Sequence, residues 1–156
     1  IEFYPIADGD SLELGNVVLT LWHTPGHTPE HLCVLVADRT RAFEPWMILT
    51  GHTLMVGDLG RTELASTAED GARALFGSVQ RLKTLPDYLE VLPGAFSGSV
   101  CGRGLSGKPS STIGFDRRFN RAFGMENETE FVRAMLENIP PRPEGFEQIR
   151  ALNLEG

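Results

Sequence analysis

A chain of 156 residues, 41% of them hydrophobic, has the size and composition of a single globular domain with one core. Its formal net charge of -7 and pI near 5.1 argue against a nucleic-acid backbone or an anionic membrane surface as the main partner, leaving small molecules and proteins. No run approaches the roughly 18 apolar residues of a membrane span, and no signal peptide is expected at the start, which opens at Ile1 in the manner of a trimmed or partial product.

Apolar runs bounded by turn residues predict strands over Ser11 to Leu14, Val17 to Trp22, Leu32 to Val36, Trp46 to Thr50 and Tyr88 to Leu92. Several of these lack polar alternation, so both faces are expected to be covered. Between the fourth and fifth strands, Ala68, Ala72, Leu75, Val79 and Leu82 recur at helical spacing. Ser66 or Thr67 is placed to cap the start of this helix, and Pro86 to end it. From Ser110 the pattern changes to helices and turns, with helical stretches in "SSTIGFDRRFNRAF", "NETEFVRAMLENI" and "EGFEQIRAL" and a break at "PPRP". The expectation is an α/β (α+β) chain forming one partial domain over 1–156, strand-rich over 1–109 with a helical tail over 110–156.

Each middle strand ends in a glycine-marked turn: "HTPGHTPEH" after the second, "TGHTLMVGDLGRTEL" after the fourth and "LPGAFSGSVCGRG" after the fifth. Strand-end loops are where a rigid scaffold usually places ligands and catalytic groups. His27 and His52 each follow a glycine at such a place, and two imidazoles at matching strand ends can share a metal. The alternative is that His23, His27, His31 and His52 only satisfy turn backbones, and the residues alone leave both readings open. Cys33 reads as a core residue. Cys101 lies in a glycine-rich loop where Arg103 and Lys108 would lower its thiol pKa, although a lone cysteine is more often inert than catalytic. Two distant cysteines make no disulfide framework, which favours the cytoplasm or another reducing compartment.

Four motifs in order, "HTPGHTPEH", "TGHTLMVGDLGRTEL", "LPGAFSGSVCGRGLSGKPSSTIGFDRRFN" and "PPRPEGFEQIRALN", resemble the second half of a metallo-β-lactamase-fold protein. Within that superfamily the chain resembles the persulfide dioxygenase branch, including members fused to rhodanese domains, with glyoxalase II more distant. The resemblance implies the C-terminal half of an αββα sandwich, with metal at the edge where strand-end loops meet. It makes His27 a metal ligand. It sets His52 where the family has a metal-binding aspartate, and Ala95 where binuclear members have a histidine. The "HxHxDH" turn that supplies the other ligands has no counterpart here. Asp58 matches a residue that is no ligand in the family and is expected to serve a turn. Arg61 resembles an arginine near the glutathione pocket, where a guanidinium fork suits carboxylates, and pairing with Glu63 or Asp58 is its structural alternative.

Three functions follow from the resemblance. The first is iron-dependent oxidation of a glutathione persulfide, with Fe(II) as the metal and a glutathione-type thiol as the small-molecule partner. The second is glyoxalase II-like thioester hydrolysis, with Zn(II) as the alternative metal; loss of the aspartate and of the histidine at Ala95 damages this one more. The third is a non-catalytic binding or assembly remnant that holds no metal. The chain alone is expected to be inactive. A half-sandwich also exposes the inner face of its sheet, and covering that face is worth on the order of 10 kcal/mol before association costs, so a homo-oligomer or a separate first half is expected as partner.

Overall fold

The computed structural model describes residues 4–64, 67–97, 105–137, 139 and 144–155. Cys101 and Arg103 lie outside them. The expected strands form as β1 (Ser11–Leu14), β2 (Val17–His23), β3 (Leu32–Asp38), β4 (Met47–Gly51) and, after the helix α1 (Ala68–Leu82), β7 (Glu90–Pro93). The short hairpin β5 (Leu54–Met55) and β6 (Asp58–Leu59) and the two-residue strand β8 (Ser111–Thr112) are additional to the expected strands. The helices α2 (Ile113–Phe119), α3 (Glu128–Leu136) and α4 (Phe146–Glu155) follow, so the chain is the mixed α/β fold expected.

The main sheet has the order β1-β2-β3-β4-β7-β8, antiparallel throughout except for the parallel pair β4 and β7. That pair needs a crossover, and α1 provides it. Thr67, one of the two expected caps, caps α1, its hydroxyl accepting the Asp70 N–H at 3.1 Å, and Ser66 lies outside the described residues. The predicted stripe faces the sheet: Ala72, Leu75, Val79 and Leu82 are fully buried in one cluster with Cys33, Leu35, Ile48 and Val91. α3 extends this layer through Phe131, Val132 and Met135, with the Phe131 ring 5.3 Å from that of Phe76.

The expectation that both faces of the strands are covered does not hold among the described residues. On β3 the buried Cys33, Leu35 and Ala37 alternate with the less buried Leu32, Val34 and Val36. The register puts Leu19 beside Val36 and, across β4, Val34 beside Leu49 and Val36 beside Met47. These residues therefore share the face turned away from the helices. None belongs to the core cluster, and Leu12 and Leu49 on this face are 47% and 42% exposed. The strands are apolar on both faces, but helices pack on only one.

Two polar ties fix the small hairpin to this scaffold. The Asp116 carboxylate on α2 accepts the Gly57 N–H at 3.1 Å, and the Asn120 side-chain amide donates to the Asp58 carbonyl at 3.2 Å. The Arg117 guanidinium donates to the carbonyls of Lys83 and Leu85 and pairs with Asp87, locking α2 against the end of α1.

Leu75 is fully buried in the helix–sheet core, and its backbone also abuts the turn before His27. Leu75→Ala is expected to lower unfolding stability by about 2–5 kcal/mol, read from the urea midpoint. A loss under about 1 kcal/mol would mean that α1 does not carry the core.

Candidate functional site

The ends of β2, β4 and β7 converge at one edge of the sheet. The Gly94 N–H donates to the Gly51 carbonyl at 2.7 Å, tying the last two together. His27 lies in the turn after β2 and His52 in the turn after β4, so the two histidines predicted to share a site are brought side by side. Their rings meet edge to face with centroids 4.6 Å apart, and His27 Nε2 is 2.9 Å from His52 Nδ1.

Close backbone approach makes this possible. A Cβ on Gly26 would fall 2.5–2.7 Å from Leu75 backbone and Cβ atoms, so only glycine lets the His27 turn lie against α1. A Cβ on Gly60 would fall 2.1 Å from the His52 carbonyl oxygen and 3.2 Å from His27 Nδ1. The β6 end can therefore slide under both histidines only without a side chain there.

The hydrogen-bond network assigns the protons. His27 Nδ1 is 2.9 Å from the Arg61 carbonyl, which can only accept, so Nδ1 carries the hydrogen and Nε2 of the neutral ring is an acceptor. His52 Nδ1–H then donates to it. Burial lowers the His27 pKa; the Arg61 carbonyl opposes that shift and the neighbouring His52 adds to it. An Nδ1–H held by a backbone carbonyl, with Nε2 pointing at a second ring, is the arrangement typical of a metal-ligating histidine.

Arg61 is buried. Its guanidinium pairs with Glu63 at 2.5 Å, the Glu63 pairing weighed as its structural alternative, while its carbonyl orients His27. Asp58 accepts the Leu59 N–H at 2.8 Å in the β6 turn, in keeping with a turn role. Ala95, at the end of β7, is 8% exposed and offers no donor. Cys33 is a core residue as expected: the Thr24 hydroxyl donates to its sulfur at 3.2 Å, and burial pushes its thiol up to about 11. His23, on the exposed side, is 2.7 Å through Nε2 from the Pro29 carbonyl.

His31, which the sequence offers only as a residue satisfying turn backbone, lies against the His52 turn. Its Nε2 accepts the His52 backbone N–H at 3.0 Å, and its Nδ1 lies 2.9 Å from the Thr53 hydroxyl. The signal in the sequence was its place at the end of "HTPGHTPEH", eight residues after His23, but only the folded register shows which backbone it meets.

Could these residues hold a metal? Two nitrogens bound to one ion at 2.0–2.1 Å in adjacent positions stand about 2.9–3.4 Å apart, so His27 and His52 fit as two ligands. Both nitrogens face the ion as acceptors only if the His52 hydrogen moves from Nδ1 to Nε2. Among the described residues no group of three or more His, Cys, Asp or Glu is placed to hold an ion. Two such nitrogens do not by themselves complete a ligand set.

Comparison with known proteins identifies the family of this fold. A solved metallo-β-lactamase from Staphylococcus aureus subsp. aureus COL superposes with a TM-score of 0.88 at 35% identity, over 96% of this chain and 44% of that one. ETHE1 from Myxococcus xanthus superposes at 0.74 with 28% identity, over 95% and 58%. A further structure, TTHA1623 solved in a di-iron-bound form, gives 0.51 at 28% identity, over 78% and 48%. Among curated proteins, an uncharacterised protein of Mycobacterium leprae is 39% identical over 72% of this chain and 43% of its own length. The mitochondrial persulfide dioxygenase ETHE1 of Bos taurus is 29% identical over 89% and 48%. No family model matches the chain. The chain thus belongs to the metallo-β-lactamase-fold superfamily, with persulfide dioxygenases among its relatives, and spans about half the length of the curated relatives it matches.

His31 titrates in a way that ties stability to pH. Burial, then the neighbouring His27 and His52, lower its pKa from 6.5 to about 4. The unfolded chain therefore takes up a proton near pH 6.5 that the folded chain refuses until about 4, so stability is fully present above pH 6.5 and falls as pH drops through that window. The urea midpoint of the metal-free protein is expected to fall between pH 7 and pH 4.5, and to fall less in His31→Gln. An equal fall in both proteins would contradict this assignment.

Proposed function

We propose that this chain is the second half of a metallo-β-lactamase-fold enzyme of the persulfide dioxygenase type. In this reading it supplies His27 and His52 to a divalent-metal site whose other ligands come from the first half of the domain. The observation that carries it is the 2.9 Å approach of His27 Nε2 to His52 Nδ1, with His27 Nδ1–H held by a backbone carbonyl. The persulfide dioxygenase relatives support the choice of branch. Fe(II) suits it, since bound ferrous iron supplies oxidation chemistry at a persulfide sulfur. Zn(II) belongs to the thioester-hydrolase alternative, which Ala95 weakens because it gives no ligand for a second metal.

This chain's own residues do three things in that reaction. The Arg61 carbonyl holds the His27 ring, so that Nε2 alone faces the ion. His52 moves its hydrogen to Nε2 and turns Nδ1 inward. The Arg61 side chain, buried and paired with Glu63, holds the turn below the pocket that the resemblance gives to a glutathione-type substrate. The apolar sheet face bearing Leu19, Val36, Met47 and Leu49 is the surface that the first half covers, and without that half a second copy of this chain takes its place. A reducing compartment suits a site that works on thiols.

Oxygen uptake with glutathione persulfide tests the proposal. The chain joined to a first half and loaded with Fe(II) is expected to consume oxygen, and the chain alone to consume none. His27→Ala is expected to remove the activity, a loss larger than the roughly 10–100-fold that follows when only a ligand's supporting partner is changed. Hydrolysis of a glutathione thioester without oxygen uptake would favour the hydrolase reading instead.

A further inference from the structure

We infer that His31 is a positioning residue of the site: it fixes the Gly51–His52 turn, and through it the direction in which the His52 ring meets His27. The inference rests on the two-histidine site and not on its metal or substrate.

The His52 N–H sits in a turn that gives it no backbone acceptor among the bonds around it. Its neighbours are satisfied locally, Thr53 N–H by the Thr50 carbonyl at 3.0 Å and the Gly51 carbonyl by Gly94 N–H at 2.7 Å. The acceptor comes from 21 residues away, His31 Nε2 at 3.0 Å. Because Nε2 accepts, the neutral ring carries its hydrogen on Nδ1, and it donates to the Thr53 hydroxyl at 2.9 Å, with the Thr24 hydroxyl at 3.2 Å. Thr53 passes its own hydrogen to the Thr24 carbonyl at 3.2 Å, and Thr24 passes its own to the Cys33 sulfur at 3.2 Å. Every proton in this chain has a direction, which leaves the ring a single orientation.

The ring also fills the space over Gly51. A Cβ there would fall 2.5 Å from His31 Nε2, and Gly51 itself has φ +50°, a conformation that favours glycine. Glycine and imidazole are thus fitted to each other: the turn needs a left-handed residue without a side chain, and the vacated space takes the ring. A planar ring with a donor on one edge and an acceptor on the other meets both demands at once. The ring stands nearly perpendicular to His27 at a centroid separation of 6.2 Å, so the three histidines form one packed group in which His31 faces backbone and His27 and His52 face each other.

Two isosteres separate the edges of the ring. In His31→Gln the side-chain oxygen reaches the place of Nε2, whereas in His31→Asn the amide reaches only the place of Nδ1. The readouts are exchange of the His52 amide and the imidazole nitrogen shifts of His27 and His52 in the labelled, metal-free chain, taken beside the urea midpoint. His31→Asn is expected to speed His52 amide exchange about tenfold or more and to average the two imidazole signatures, while His31→Gln stays near the parent protein. Should His31→Asn fail to fold, Thr53→Val, which keeps the ring but removes its Nδ1 partner, is expected to change the same signals in the same direction. Unchanged His52 exchange and unchanged imidazole shifts in a folded His31→Asn, or in Thr53→Val where that variant stands in, would overturn the inference. So would a His31→Gln that behaves like His31→Asn.

Discussion

The hydrogen bond from His27 Nδ1 to the Arg61 carbonyl is the contact on which the site depends. It joins residues 34 apart in the chain and decides which nitrogen of His27 faces His52. Without it the ring could rotate or change tautomer, and the lone pair now directed at His52 would have no fixed direction. The fold is arranged to deliver that carbonyl. The β5–β6 hairpin is tied to α2 through Asp116 and Asn120, and Gly60 lets its end pass beneath the histidines without a side chain.

The buried pair of Arg61 and Glu63 belongs to the same device. A buried ion pair seldom adds net stability compared with apolar residues of the same shape, but removing one partner strands the other charge and is costly. Here the pair holds the backbone of residues 61–63 in place, and Glu63 also accepts the Thr62 N–H at 3.1 Å. The side chain that the sequence offered for substrate thus also anchors the carbonyl that orients a ligand. On the other side of the site, the His31 ring plays the matching part for the backbone of His52.

Much of this was legible in the residues. Helical spacing found α1 within its observed bounds, because Ala72, Leu75, Val79 and Leu82 face a single layer and nothing competes with that periodicity. The glycine-marked turns found His27 and His52, because close approach of strand ends demands glycine and leaves the next side chain at the edge. The β5–β6 hairpin was missed: each strand is only two residues long, too short for any alternation to register. His31 was undervalued because its partner is a backbone N–H 21 residues away, and side-chain spacing carries no signal for that. The apolar strands read as covered on both sides, whereas helices cover one; hydropathy reports what a face requires and not whether the same chain supplies it.

In the proposed function this chain contributes two ligands to a site completed elsewhere, and metal content tests that directly. After loading the purified chain with Fe(II) or Zn(II) and dialysing it exhaustively, elemental analysis should find far less than one ion per chain. Two imidazole nitrogens leave at least one or two positions of a stable site unfilled. One tightly held ion per chain, lost in His27→Ala, would show that the chain completes the site by itself and would contradict the shared-site account.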